Sequence, residues 1–264
     1  MRPKVVATDL DGTVVRSDGT ISPRTRDALA VARAAGALIV VATGRPPRWL
    51  VGIAEATGHD GIAICANGAL VYDLAAEQVV HSRPLDLDVV RRLIKELRAS
   101  VPGVAFAVER VDGQFAHEAA YHPRWEPEEQ TYVGDLEHVF DVPVAKLLGR
   151  VEGAGSDDLL AMARAVVSDD LATLTHSSID GLLEVNASGV TKATTLDAWL
   201  GARGLTSADV IAFGDMPNDV EMISWAGHGV AVANAHPEVL AVADEVTGTN
   251  DADGVAEVLE RLFG

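Results

Sequence analysis

The chain is 264 residues long, enough for one large domain or two moderate ones, and 48% of it is hydrophobic, ample for a packed core and unlike a disordered segment. A formal net charge of −18 argues against nonspecific binding to DNA, RNA or an anionic membrane, while a small anionic substrate stays open if a local cation or basic residue receives it. The single Cys65 excludes an internal disulfide framework, and no apolar run approaches signal-peptide or transmembrane length, so a cytoplasmic protein is expected.

The β-branched run Val5-Val6-Ala7-Thr8 reads as a buried strand. Two carboxylates, Asp9 and Asp11, leave its carboxyl end, and Gly12 then turns the chain away. Two residues apart in an extended segment, they point the same way and repel unless a cation or a proton intervenes. A hard divalent cation suits them, and Mg2+ is the usual choice beside phosphate. Asp-x-Asp-Gly is also common turn chemistry. It resembles the start of a calcium loop too, but Thr20 stands where the closing Glu belongs.

Ser22-Pro23 predicts an N-cap and first-turn proline for a helix running to about Ala35, stopped by Gly36. A second buried strand, Ala37 to Ala42, delivers Thr43-Gly44-Arg45, followed by a helix to about Thr57 and a third strand, Ile62 to Cys65. Strands alternating with helices predict right-handed crossovers and a parallel sheet whose carboxyl ends converge on one crevice. Asn67-Gly68 opens a hairpin-like excursion, in which Asn67 serves as a tight turn.

Beyond Ser82-Arg83-Pro84 the pattern changes. Two amphipathic helices are marked by Leu87, Val90, Ile94 and Leu97 and by Leu159, Met162, Ala163 and Val166. Strands are expected over Val104–Val108, Gln114–His117, Ala145–Val151, Leu171–His176 and Leu182–Val185. Adjacent strands with few helices suggest an α+β insertion, closed by the linker Asn186-Ala187-Ser188-Gly189. The first pattern then resumes with a helix from about Thr191, a strand Val210–Phe213 ending in Gly214-Asp215-Met216-Pro217-Asn218-Asp219, and a strand Val230–Ala233. A short helix after His236-Pro237, a short strand at Glu245-Val246 and a last helix bearing Val255, Val258, Leu259 and Leu262 complete the chain.

Thr43 and Gly44 offer a hydroxyl and backbone donors to a phosphoryl group, Lys192 an ammonium at a helix start, and Asp215, Asn218 and Asp219 carboxylates and an amide at another strand end. In chain order Asp9, Asp11, Thr43, Lys192 and Asp215, this set resembles the haloacid dehalogenase superfamily of phosphohydrolases. Asp9-Leu10-Asp11-Gly12-Thr13 matches its first motif, Thr43-Gly44-Arg45 looks like its second, Lys192 its third, and Gly214 to Asp219 its fourth. The inserted segment and Asn67-Gly68-Ala69 are similar to the Cof-type branch with a C2B cap, although Ala193 stands where that branch often has Gly.

The resemblance implies an α/β fold: a Rossmann-like core with a central parallel sheet over residues 1–82 and 189–264, and an α+β cap over 83–188. It implies that Asp9 attacks phosphorus, and that Asp11 protonates the leaving alcohol and then activates water. Mg2+ would be held by Asp9, Asp215 and the backbone carbonyl of Asp11, with Asp219 orienting ligands or water. Thr43, Gly44, Lys192 and Asn218 would hold the phosphoryl oxygens, and Arg45 would contact phosphate or the substrate body. His117, Glu118, Tyr121, His122, Arg124, Trp125 and Glu184 are the candidate cap contacts. The activity so implied is Mg2+-dependent hydrolysis of a small phosphorylated metabolite, a sugar phosphate among the candidates. A phosphotransferase or phosphomutase, or a binding or regulatory protein without turnover, are the alternatives.

Overall fold

The computed structural model describes residues 2–50, 52–53, 61–124 and 131–264. The chain divides into two compact units, Met1–Val80 with Thr191–Gly264, and His81–Val190.

The first unit is built on β1 (Val5–Thr8), β2 (Leu38–Ala42), β3 (Ile62–Cys65), β4 (Leu70–Asp73), β12 (Val210–Gly214), β13 (His228–Val232) and β14 (Glu245–Thr247), with β5 (Gln78–Ser82) at its boundary. They form one sheet in the order β14-β13-β12-β1-β2-β3-β4-β5. From β14 to β3 every pairing is parallel, and β4 returns antiparallel to β3. Apart from Thr8 the central strands β1, β2 and β12 are apolar, and apart from Leu38 they are buried, as strands covered on both faces must be. Successive strands run outward in one direction from β1 through β2 and β3, and in the other from β12 through β13 and β14. That reversal between β1 and β12 opens a crevice at the carboxyl ends, where doubly wound sheets bind ligands.

Helices α1 (Pro23–Ala34), α4 (Lys192–Gly201), α5 (Val220–Trp225), α6 (Pro237–Val242) and α7 (Gly254–Phe263) belong to this unit. Ser22 caps α1 through Thr25 N at 3.0 Å. At α4 the caps are reciprocal: Thr191 Oγ1 accepts from Thr194 N and Thr194 Oγ1 from Thr191 N, both at 3.1 Å. Lys192 is therefore fixed in the first turn of a rigid helix. The helix expected after Arg45 begins as a short 3-10 turn, Pro47–Trp49; its continuation at 51 and 54–60 lies outside the described residues.

The second unit holds β6 (Ala105–Arg110), β7 (Phe115–His117), β8 (Tyr132–Val133), β9 (Val144–Arg150), β10 (Ala172–Thr175) and β11 (Leu182–Ala187), in the order β10-β11-β9-β6-β7-β8. All pairings are antiparallel except β7 with β8. Among the described residues its helices α2 (Leu87–Ser100) and α3 (Ser156–Arg164) bury Val90, Leu93, Leu97, Leu159, Leu160 and Ala163 in one cluster with Phe106, Val108, Leu147 and Val185 of the sheet. The α+β reading holds. The two-residue β8 was not expected, because two residues carry no periodic signal. Among the described residues no helix is long and apolar enough to cross a membrane.

Leu93 is fully buried in this cluster. Replacing Leu93 with Ala should cost about 2–5 kcal/mol, read as a lower urea midpoint; a cost below about 1 kcal/mol would mean that the cluster is loosely packed.

Candidate active site

The carboxyl ends of β1, β2 and β12 and the first turn of α4 bring the predicted residues together. Asp9 continues β1 along β12, its N–H donating to Phe213 O at 3.0 Å. Gly12 then turns with φ 77°, and a Cβ there would lie 2.2 Å from Asp215 Oδ2, so only glycine fits. Thr13 Oγ1 donates to Asp215 Oδ1 at 3.1 Å.

Lys192 is 0% exposed, and its Nζ donates to Asp9 Oδ1 and to Asp219 Oδ1, each at 2.7 Å. The other oxygen of Asp219 accepts from the backbone N–H groups of Asp215 at 3.1 Å and Met216 at 3.2 Å. Asp219 thus ties the lysine to the β12 loop. Carboxylate oxygens of Asp9, Asp215 and Asp219 lie within 4.8 Å of one another, and all three residues are buried.

One ammonium against three carboxylates leaves the pocket short of positive charge. Burial, with Asp219, Asp215 and Asp11 adding repulsion against the pull of Lys192, pushes the Asp9 carboxyl well above its ordinary value. Burial and then Asp219 push Asp215 up to about 7. Burial alone would weaken the Lys192 charge, but Asp219 and Asp9 outweigh it and hold the ammonium above its ordinary range. All the donors are hard oxygens, so the residues fit a divalent cation of the Mg2+ kind.

The two carboxylates of the first loop do not share a partner. Asp9 faces Lys192, whereas Asp11 is held by Arg45, through Nε to Oδ2 at 2.7 Å and Nη2 to Oδ1 at 2.5 Å. The side chain of Asp11 is 58% exposed. Sequence spacing alone put both carboxylates on one side; the turn after Asp9 separates them. Arg45, expected on phosphate or the substrate body, grips Asp11 instead. Its own N–H donates to Thr43 Oγ1 at 3.1 Å, which sets the Thr43 hydroxyl in the loop after β2. Asn218 lies on the β12 side and donates to Asn67 Oδ1 at 3.0 Å.

Candidates in the second unit fare unevenly. His117 and Tyr121 are buried, with ring centroids 5.9 Å apart, and Glu184 is buried in an ion pair with Lys146 at 2.5 Å. Glu118 is engaged in the fold: one oxygen accepts from Phe106 N at 2.9 Å and the other pairs with Arg98. His122 pairs with Glu152 at 2.8 Å, and Arg124 with Asp180 at 3.0 Å. Trp125 lies outside the described residues.

Replacing Lys192 with Met removes the cation from this pocket. The loss should be about 3–5 kcal/mol at pH 8, because buried carboxylates are left uncompensated. With the Asp9 and Asp215 carboxyls raised, the native state holds more protons than the unfolded chain above the ordinary carboxylate range, for Asp215 up to about pH 7, so each destabilises increasingly as pH rises through its own window. The variant should therefore recover stability toward pH 5, and a penalty independent of pH would contradict this charge balance.

Comparison with known proteins fits this geometry. A model of the haloacid dehalogenase-like hydrolase family matches residues 6–259. The chain is 29% identical to the pyridoxal phosphate phosphatase YbhA of Escherichia coli, over 98% of both chains. It is 32% identical to a phosphoglycolate phosphatase of Natronomonas pharaonis, over 97% of this chain and 96% of that one. The crystal structure of SMU.1108c from Streptococcus mutans superposes with a TM-score of 0.83 at 22% identity, over 98% of each chain. The chain belongs to the haloacid dehalogenase-like hydrolases and is a phosphohydrolase of that family.

Proposed function

We propose that this protein is a Mg2+-dependent phosphatase that hydrolyses a small phosphorylated metabolite through a phosphoryl group carried on Asp9. The observation that carries the reading is the fully buried Lys192 held between Asp9 and Asp219, beside Asp215. Asp9, Asp215 and the backbone carbonyl of Asp11 would hold the cation, and Asp219 would keep Lys192 and the β12 loop in place. When bound, Mg2+ offsets the charge of carboxylate and phosphate and lets the two approach.

Asp9 attacks phosphorus in line, and its bond to phosphorus forms as the bond to the leaving oxygen breaks. Asp11 gives the leaving alcohol its proton, and then takes one from the water that cleaves the acyl phosphate. To do so it must turn from the Arg45 fork toward the leaving group. Thr43, Gly44, Lys192 and Asn218 meet the phosphoryl oxygens with donors as charge builds on them. Segment 83–188 is read as the cap that selects the leaving group. The relatives named above act on quite different phosphates, so the substrate is proposed only as a class, small phosphorylated metabolites.

An aryl phosphate assay with and without Mg2+ tests the reading. Asp9→Asn should lower turnover by about 10³-fold or more with folding intact. Turnover close to that of the unaltered protein in Asp9→Asn, or a rate indifferent to chelation of divalent ions, would overturn it. Mg2+ should also raise the melting temperature more at pH 8 than at pH 5, because protons compete for Asp9 and for Asp215, whose carboxyl titrates at about 7. An equal shift at both values would place the ion elsewhere.

A further inference from the structure

The connection between β3 and β4 is more strained than a tight turn requires. Ala66, Asn67 and Gly68 all have left-handed backbones, with φ of 50°, 58° and 107°. Asparagine and glycine tolerate this region; alanine does not, and such strain persists only where the surroundings impose it. Here they do. Ala66 N donates to Arg45 O at 3.0 Å and Asn67 N to Thr43 O at 3.1 Å, so the turn is stitched to the loop after β2. Thr195 Oγ1 donates to Gly68 O at 2.8 Å, and a Cβ on Gly68 would lie 2.2 Å from Thr191 O, so the turn is also pressed against the start of α4.

Asn67 is 3% exposed, and its Oδ1 accepts from Asn218 Nδ2. Among the described residues its own Nδ2 makes no hydrogen bond, nor does Asn218 Oδ1. A turn needs only the backbone of Asn67, for which glycine would serve. A buried amide donor left unmade is unfavourable unless something outside the chain accepts it.

We propose that Asn67 is a phosphoryl-binding residue, its Nδ2 donating to a non-bridging oxygen of the substrate phosphate while Asn218 fixes the plane of its amide. The inference rests on the reading that the phosphoryl group sits over Asp9, since the segments clamping Asn67 are those that present Thr43 and Lys192. An amide suits the task because it donates to an anion without adding charge to a pocket already rich in carboxylates.

The test uses an aryl phosphate as substrate and inorganic phosphate as product inhibitor, in the presence of Mg2+. Asn67→Asp keeps an acceptor for Asn218 and tolerates the left-handed backbone, but removes the donor. Asn67→Gly keeps the backbone and removes the amide. Asn67→Gly should fold with an unchanged or higher melting temperature, and Asn67→Asp, which adds a buried carboxylate to this pocket, with a lower one. Both should lower kcat/KM by about 10- to 100-fold and weaken inhibition by phosphate in parallel. Variants that keep kcat/KM and phosphate inhibition within about twofold of the unaltered protein would overturn the proposal, as would losses that track melting temperature and leave phosphate inhibition unmoved. Asp9→Asn is measured alongside: if it turns over normally, the phosphatase reading itself fails; if it is inactive while the Asn67 variants are unaffected, only the role of Asn67 fails.

Discussion

The buried ammonium of Lys192 is the contact on which the rest of the site depends. It joins Asp9 at the end of β1 to Asp219 after the neighbouring strand β12, holding the two carboxylates together at the ends of paired strands. Charges of this kind are costly to bury, and Lys192 and Asp219 are tolerated here because each is bonded to more than one partner. Asp219 uses both oxygens, one on Lys192 and the other on two backbone N–H groups. Asp215 is held by Thr13. Asp9, bonded through one oxygen to Lys192, and Asp215, bonded through one oxygen to Thr13, are held by fewer bonds than Asp219.

The sheet explains why such a pocket can form. Reversal of strand order between β1 and β12 leaves a gap at the carboxyl ends, and loops from both halves turn into it. Glycine and caps then set the details. Gly12 allows the first loop to pass against Asp215, and the reciprocal Thr191–Thr194 caps stiffen the turn that carries Lys192. The positions of the reactive groups are thus properties of strand ends and helix starts, which vary less than long loops do.

Much of this was legible in the sequence, for a physical reason. Apolar β-branched runs ending abruptly in Asp, Thr or Gly mark buried strands with polar carboxyl ends, so Asp9, Thr43 and Asp215 were placed at one edge of the sheet without knowing any contact. Contacts between side chains were less legible. Nothing in the order of residues says that Arg45 would take the carboxylate of Asp11, since both groups stand beside turns whose final angles decide the pairing. Asn67 looked like turn chemistry because its backbone is turn chemistry; only burial and the missing partner of its amide distinguish it. Glu118, a candidate cap contact by sequence, accepts from the N–H of Phe106, a partner that the order of residues does not announce.

The central claim is that Asp9, and no other carboxylate of the cluster, takes the phosphoryl group. Protein quenched in acid during turnover and reduced with borohydride converts an acyl phosphate on aspartate into homoserine, which mass spectrometry of the N-terminal peptide locates. Homoserine at position 9, dependent on substrate and Mg2+, is the expected result. Homoserine at Asp11 or Asp215 instead, or none while turnover continues, would contradict a nucleophilic Asp9.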